Sequence, residues 1–200
     1  MQDKPILYMI GNTHFDPVWL WTWDEAMASI RATFRSALCR MDEEPDFRYS
    51  FATPPVFRWI EDTDPALFAK IRSRVADGHW ELSEGWWNQP DTYTAGGESY
   101  VRHSLYGQAY LRKTFGKRAE VVMNVDSFGH SPALPQILAK SGIRYYLFTR
   151  PEERHVPLPS PLFRWQSADG SAVTAFRIGG AAGGGWSGDL AAEMDIASST

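Results

Sequence analysis

The feature that most constrains the fold is the alternation of short, strand-like apolar runs with longer segments of helical periodicity. The strand-like runs are residues 6–10, 47–51, 80–83, 119–125, 144–149, 162–166 and 172–178. The helical segments are 23–41, a short piece after Thr53, 64–78, 96–116 and a piece that Ser131-Pro132 caps and Gly142 ends. Parallel strands need a crossover connection, which is usually a helix. The alternation therefore predicts a parallel α/β fold.

The chain changes character after Pro151. Three prolines, at positions 157, 159 and 161, indicate an irregular loop. The last two strand-like runs are joined through Asp169-Gly170, a turn sequence that predicts an antiparallel hairpin. Residues 179–200 are a glycine-rich loop and tail, which we expect to continue into a longer native chain. Residues 1–178 are accordingly predicted to form one structural unit.

The composition excludes several classes of function. The net charge is −4, and no basic stripe is present that could neutralise nucleic-acid phosphates. No stretch approaches the ~18 apolar residues that a membrane span needs. Cys39 is the only cysteine, which excludes an internal disulfide, and the first residues lack the pattern of a secretory signal. We therefore expect a cytoplasmic protein that binds neither nucleic acid nor a membrane.

A polar pair follows the first strand-like run. Side chains alternate along an extended chain, so His14 and Asp16 point the same way just past the carboxyl end of that strand. Imidazole with carboxylate suits zinc, and nickel, manganese or iron are also compatible with this pair. A simpler alternative is that His14 bonds a backbone carbonyl and that Asp16 caps a helix beginning at Pro17.

Tryptophan is unusually frequent, with nine in the chain. Burial in a large core is the expected explanation for most of them. Trp19 and Trp21 differ because they stand beside the His14 and Asp16 pair. Their flat apolar faces are of the kind on which sugar rings stack, so they favour a carbohydrate cleft at this place.

Polar residues also follow later strands. They are the segment from Glu84 to Asp91, then Asp126, and then Arg150 as a cation. The carboxyl ends of parallel strands lie on one rim, and α/β enzymes place their active sites there. The sequence thus predicts that these groups converge with His14 and Asp16 on one site. Loops also need polar residues at strand ends, which is the alternative explanation.

These motifs together resemble a known family. The segment 11–19, the Glu84-Gly85-Trp86 motif with Pro90-Asp91, the segment 96–99 and the segment 124–130 occur in the order found in the amino-terminal catalytic domain of glycoside hydrolase family 38. The resemblance covers most of residues 6–151. It implies a retaining α-mannosidase that acts on a mannose-containing glycan. It also implies a (β/α)7-type barrel of parallel strands, of which residues 1–178 would be the amino-terminal part.

The resemblance implies a role for each matching residue. His14, Asp16 and Asp126 would bind one zinc ion, and Asp126 would also be the nucleophile. Trp19 would stack under the sugar, and Phe128 would line the same pocket. Arg150 would orient the nucleophile. Zinc would hold the 2- and 3-hydroxyls of mannose, and its charge would keep the neighbouring carboxylate ionised.

Two parts that the resemblance requires are expected beyond Thr200: a histidine as the fourth zinc ligand and an aspartate as the general acid. Neither His130 nor His155 is assigned to the ligand role. The 200-residue chain is therefore expected to be inactive alone. Two alternatives are a metal-dependent polysaccharide deacetylase, whose metal activates water, and a non-catalytic sugar-binding remnant. A homo-oligomeric state is left open.

Overall fold

The computed structural model describes residues 10–178. The strands are β1 Gly11–Asn12, β2 Tyr49–Ser50, β3 Trp80–Glu81, β4 Val121–Asn124, β5 Tyr145–Phe148, β6 Leu162–Gln166 and β7 Ala172–Arg177. The helices are α1 Trp23–Glu43, α2 Pro54–Thr63, α3 Pro65–Asp77, α4 Gly97–Phe115 and α5 Leu134–Lys140. The predicted strand at 6–10, apart from its last residue, and the predicted loop and tail at 179–200 lie outside the described residues.

The strands form two hydrogen-bonded sheets. One has the order β1-β2-β3 with parallel pairing, and the other has the order β4-β5-β7-β6. In the second sheet β4, β5 and β7 are parallel, whereas β6 is antiparallel to β7. The parallel α/β prediction and the antiparallel hairpin are thus confirmed.

The (β/α)7-type barrel, of which this chain is predicted to hold an incomplete part, is not confirmed by the pairing. The two sheets are separate, and a backbone hydrogen bond from Met123 N to Ser83 O (2.9 Å) joins their neighbouring edges. Strands β2 and β3 are shorter than predicted, at two residues each, and β1 is described at Gly11–Asn12, directly after the predicted run 6–10. Strands β2 and β3 pair over only two residues, whereas the sequence predicts runs of four or five residues there.

Helix starts follow local capping chemistry. Thr22 forms a capping box with Glu25, in which the Thr22 N–H donates to Oε2 of Glu25 (2.8 Å) and the Thr22 side chain accepts from Glu25 N. Asp64 caps α3 by accepting from Leu67 N (3.1 Å), as its place before a proline predicts. The predicted start of α5 at Ser131 is wrong. The helix begins at Leu134, after a turn in which Ser131 O accepts from Leu134 N (3.0 Å) and Ser131 Oγ accepts from Ala133 N (3.3 Å).

The core has two parts. Helices α1, α2 and α3 bury one cluster against β2 and β3, with Phe34 edge-on to Phe51 (5.0 Å) and to Trp80 (5.1 Å). Helix α5 covers the second cluster against β4, β5 and β7, around Tyr146 and Phe148. Burial of one such aromatic side chain stabilises the fold by about 1.5–3 kcal/mol. Among residues 10–178 no helix is both long and apolar enough to cross a bilayer.

The tryptophans divide by position. Trp80 and Trp86 are fully buried, Trp59, Trp87 and Trp165 are partly buried, and Trp19, Trp21 and Trp23 are exposed. Trp186 lies outside the described residues. The three exposed rings stand together before and at the start of α1, so this surface is apolar where a water-exposed loop is usually polar.

A close approach of α4 fixes the segment that follows β3. A Cβ added at Gly107 would lie 2.3 Å from the carbonyl carbon of Trp86 and 2.6 Å from the amide nitrogen of Trp87. The Trp87 N–H donates to the carbonyl of His103 on the same helix (2.8 Å). Helix α4 therefore packs backbone to backbone against this segment, which only glycine allows.

We predict that Gly107→Ala destabilises the protein by about 1–3 kcal/mol or more, because backbone atoms cannot give way as a side-chain tip can. Urea unfolding monitored by far-UV circular dichroism measures the change. The control is Gly97→Ala in the same helix, where the nearest atom to the new Cβ is Ile137 Cδ1 at 4.0 Å. Equal stability of the two variants would contradict the packing argument.

Candidate active site

The loop after β1 places His14 and Asp16 side by side. His14 Nε2 lies 3.3 Å from Asp16 Oδ1, and the side chains are 17% and 40% exposed. The loop is held by a hydrogen bond from the Tyr49 hydroxyl to Thr13 Oγ1 (2.7 Å) and by one from Trp21 Nε1 to the Asp16 carbonyl (2.9 Å). The simpler alternative for Asp16 is wrong, because α1 begins at Trp23 with Thr22 as its cap.

Asp126 follows β4 and has a different neighbour at each carboxylate oxygen. Arg150, which follows β5, approaches Oδ1 at 3.0 Å through a terminal guanidinium nitrogen. His14 Nε2 lies 3.9 Å from Oδ2. Since β4 and β5 are parallel neighbours, both residues leave the same edge of the sheet. The structure therefore brings together four of the predicted site residues: His14, Asp16, Asp126 and Arg150.

The His14 nitrogen has the surroundings of a metal ligand. Nε2 is buried and has no hydrogen-bond partner among the described residues. Two ligands each about 2.0–2.1 Å from a tetrahedral zinc lie roughly 3.3 Å apart, which is the separation between His14 and Asp16 and is shorter than that to Asp126. No group of three or more His, Cys, Asp and Glu side chains in the described range forms a metal site as it stands. The spacing of His14 and Asp16 is thus that of two ligands of one cation, whereas Asp126 is set wider.

Trp19, predicted to stack under the sugar, and Phe128, predicted to line the same pocket, are both exposed. Trp19 is 65% exposed and edge-on to Trp21, with their ring centroids 5.2 Å apart. Phe128 is 74% exposed, and the guanidinium carbon of Arg150 lies 4.8 Å from its ring centroid. The arginine thus contacts both Asp126 and Phe128. Trp19 lies further along the His14 loop, on its solvent side.

A small polar cavity of about 90 Å³ opens beside the His14 and Asp16 pair. Its lining residues are His14, Phe15, Asp16, Pro17, Thr53, Glu84, Asn88 and Gln89. A larger open groove of about 530 Å³ lies between α3 and the end of α4, and it is lined by no carboxylate or imidazole. The small cavity is the better candidate for a catalytic site, because His14, Asp16 and Glu84 line it.

Glu84 is the half-buried glutamate that lines this cavity. Its Oε2 accepts a hydrogen bond of 2.6 Å from the Thr53 hydroxyl. Burial raises the pKa of Glu84 to about 7, and the Thr53 hydrogen bond opposes that rise. Sequence reasoning placed Glu84 in a strand-end cluster but gave it no partner. The sequence predicts only that a helix begins at Thr53; in the structure the Thr53 hydroxyl donates to Glu84 and not to the helix.

His130 is the other residue whose surroundings the sequence did not reveal. It belongs to the Asp126 motif and was given no role. In the structure its ring is enclosed and its Nε2 lies 2.6 Å from the carbonyl oxygen of Arg150. Burial lowers the pKa of His130, and the contact with that carbonyl opposes the shift. A histidine four residues after a strand-end aspartate was the available signal.

The sequence comparisons agree on one family. Residues 4–179 match the family model described as the glycosyl hydrolases family 38 N-terminal domain. The chain is 29% identical over 173 residues to alpha-mannosidase G of Dictyostelium discoideum, covering 86% of this chain and 16% of that protein. It is 30% identical over 173 residues to human alpha-mannosidase 2C1, covering 86% and 17% respectively. The chain thus spans about a sixth of the length of these curated relatives.

Solved structures share the fold at low identity. A crystal structure of an alpha-mannosidase from Enterococcus faecalis superimposes with a TM-score of 0.73 at 16% identity, over 84% of this chain and 19% of that one. A 4-alpha-glucanotransferase from Thermococcus litoralis gives 0.65 at 21% identity, over 86% and 27%. These likenesses concern the fold alone, because one fold serves different reactions.

We predict that Glu84→Gln makes the metal-free protein more stable than the unsubstituted protein at pH 8, and that this gain is smaller at pH 5. The folded state holds a proton on Glu84 up to about pH 7, whereas an ordinary glutamate releases it near 4.5. Between these values the folded state binds more protons than the unfolded state, so the stability of the unsubstituted protein falls as pH rises. The neutral glutamine removes that loss, which is on the order of 2 kcal/mol.

Thermal unfolding of both proteins at the two pH values, with a chelator present, measures this effect. Glu81→Gln is the control, because it removes a charge from an exposed position on β3. If Glu84→Gln and Glu81→Gln change stability equally at both pH values, the burial argument for Glu84 is wrong.

Proposed function

Since the chain belongs to glycoside hydrolase family 38, we propose that it supplies the nucleophile-bearing part of a zinc-dependent, retaining α-mannosidase. The observation that carries the proposal is the Asp126 carboxylate, which has an arginine on one oxygen and an unpartnered imidazole nitrogen facing the other. This arrangement suits a carboxylate that is held in one orientation. The family's curated relatives are named as alpha-mannosidases, which gives the sugar class.

His14, Asp16 and Asp126 are the residues that we propose hold the metal. Nε2 of His14 has no hydrogen-bond partner within residues 10–178, and both carboxylates are partly exposed and oriented toward it. When bound, the ion would orient vicinal hydroxyls of the sugar and add positive charge near Asp126. Zinc suits a nitrogen and carboxylate set, and other divalent metals are compatible with it.

In the proposed reaction Asp126 attacks the anomeric carbon. A bond forms from its carboxylate oxygen to that carbon while the glycosidic bond breaks, and the leaving oxygen takes a proton from a general acid. Arg150 holds Oδ1 of Asp126 through a charge-assisted hydrogen bond, which fixes the direction of the carboxylate plane. Water then hydrolyses the aspartyl ester with retention of configuration.

We propose that the general acid and a fourth metal ligand come from outside these 200 residues. The chain spans about a sixth of its curated relatives, so most of such an enzyme lies elsewhere. By the same argument the two sheets are proposed to be successive parts of one (β/α) barrel wall. The Met123 to Ser83 hydrogen bond, which joins their edges, supports this.

The substrate would meet an apolar surface beside the charged group. We propose that Trp19 and Phe128 contact the sugar, because both rings are exposed and Phe128 lies under the Arg150 guanidinium. The cytoplasmic location and the oligomeric state stay predictions.

We predict that the 200-residue chain binds one zinc ion and that His14→Ala, Asp16→Asn and Asp126→Asn each weaken binding by about 100-fold, because each removes a ligand. Isothermal titration with zinc measures the affinity. The control is His79→Ala, which disrupts another imidazole–carboxylate pair, with Asp77 at 2.8 Å. An equal loss in His79→Ala would show that the metal site is elsewhere, and absence of zinc binding would show that His14, Asp16 and Asp126 do not suffice to hold the ion.

The reaction is tested by trapping. A form of the protein that hydrolyses an aryl α-mannoside should keep a glycosyl group on Asp126 after treatment with a fluorinated mannoside, detected by peptide mass spectrometry. The 200-residue chain alone is expected to release no aryl alcohol. Acetate release from an acetylated polysaccharide would instead support the deacetylase, and sugar binding without turnover in every form would support the sugar-binding remnant.

A further inference from the structure

His130 connects the two loops that carry Asp126 and Arg150. Its Nε2 lies 2.6 Å from the carbonyl oxygen of Arg150. On the other side of the ring, Nδ1 lies 2.9 Å from the Tyr146 hydroxyl and 3.2 Å from Thr92 Oγ1. Every polar atom of the ring therefore has a partner in a different segment of the chain.

These contacts define the tautomer. A carbonyl oxygen only accepts, so Nε2 must carry the proton that it donates to Arg150. Nδ1 is then an acceptor, and the Tyr146 hydroxyl donates to it. The Thr92 hydroxyl donates to the carbonyl of Gly129. The ring is neutral in this arrangement, as its enclosed position requires.

Aromatic side chains hold the ring in place. The edges of Tyr146 and Phe148 pack against it with centroid distances of 5.5 Å and 5.0 Å, and Trp165 lies at 6.0 Å. Tyr146 is fully buried, so its hydroxyl is a fixed donor. These aromatic contacts restrict rotation of the imidazole and shield part of it from water.

We propose that His130 is a positioning residue that holds Arg150 on Asp126. The loop that begins at Asp126 carries His130, and the His130 ring fixes the backbone of Arg150. The guanidinium of Arg150 returns to Asp126 at 3.0 Å, which closes a ring of contacts. The assignment rests on the proposed function only in naming Asp126 as the nucleophile that benefits.

The tautomer is the first test, and it uses the unaltered chain. Long-range ¹H–¹⁵N NMR spectra of the 200-residue chain should show a protonated Nε2 and an unprotonated Nδ1 for His130. A protonated Nδ1 with a bare Nε2 would overturn the proposal, because such a ring cannot donate to the Arg150 carbonyl.

The second test measures how firmly Arg150 is held. In metal-free protein, exchange of the Arg150 guanidinium protons with water should be about tenfold faster in His130→Leu, since one buried hydrogen bond is lost. In His130→Gln the side-chain amide can still donate to the Arg150 carbonyl, so the exchange should be as slow as in the unsubstituted chain. Arg150→Lys assigns the signals. If His130→Leu does not fold, His130→Asn replaces it, because the shorter side chain does not reach the carbonyl.

Gln108→Met is the matched control. Gln108 is buried and makes two hydrogen bonds with the Ala119 backbone, at 2.9 Å and 3.1 Å, before the start of β4 and thus away from Asp126. It should lower the Tm without changing the Arg150 exchange rate. Equal acceleration in Gln108→Met, or unchanged exchange in His130→Leu or His130→Asn, would overturn the positioning role. Neither NMR measurement needs a metal or a sugar, so failure of the proposed function would be seen separately.

Discussion

Parallel pairing of strands is the constraint on which the rest of the structure depends. Because β1, β2 and β3 run in one direction and β4 and β5 run in one direction, the segments after them emerge at shared edges. His14 and Asp126 follow strands of different sheets, and they meet because the hydrogen bond from Met123 N to Ser83 O also joins the neighbouring sheet edges. The helices contribute by covering the sheet faces, and the backbone contact of α4 at Gly107 fixes the segment that bears Glu84.

The ion pair of Asp126 and Arg150 at this edge orients the carboxylate but adds little to the stability of the fold. Asp126 and Arg150 are both about 40% exposed, and ion pairs of that exposure are worth about 0–1 kcal/mol. Their geometry is nevertheless specific, because each oxygen of Asp126 faces a different group. The buried contacts around His130 give the rigidity that the exposed pair lacks. The Asp126 carboxylate thus remains accessible, while Tyr146 and Phe148 beside its supporting histidine are buried.

Several features could be predicted because they depend on neighbours in sequence. The cap at Asp64 acts within three residues, so local chemistry determines it. The hairpin of β6 and β7 is likewise local. The start of α5 was misplaced because Ser131 suits a turn as well as a cap. The barrel prediction went further than the observed pairing, since closure of a sheet depends on strand lengths and register that no local pattern gives.

The sequence by itself determined the order of strands and helices, the residue types at the strand ends and the family to which the chain belongs. Only the tertiary structure decided which oxygen of Asp126 faces Arg150, that Glu84 is enclosed beside Thr53, and that His130 donates to the Arg150 carbonyl. The physical reason is that burial and hydrogen-bond partners are properties of surroundings assembled from distant segments. The residue type sets which hydrogen bonds and charges a side chain can have, and its neighbours in space determine which of them it has in the folded protein.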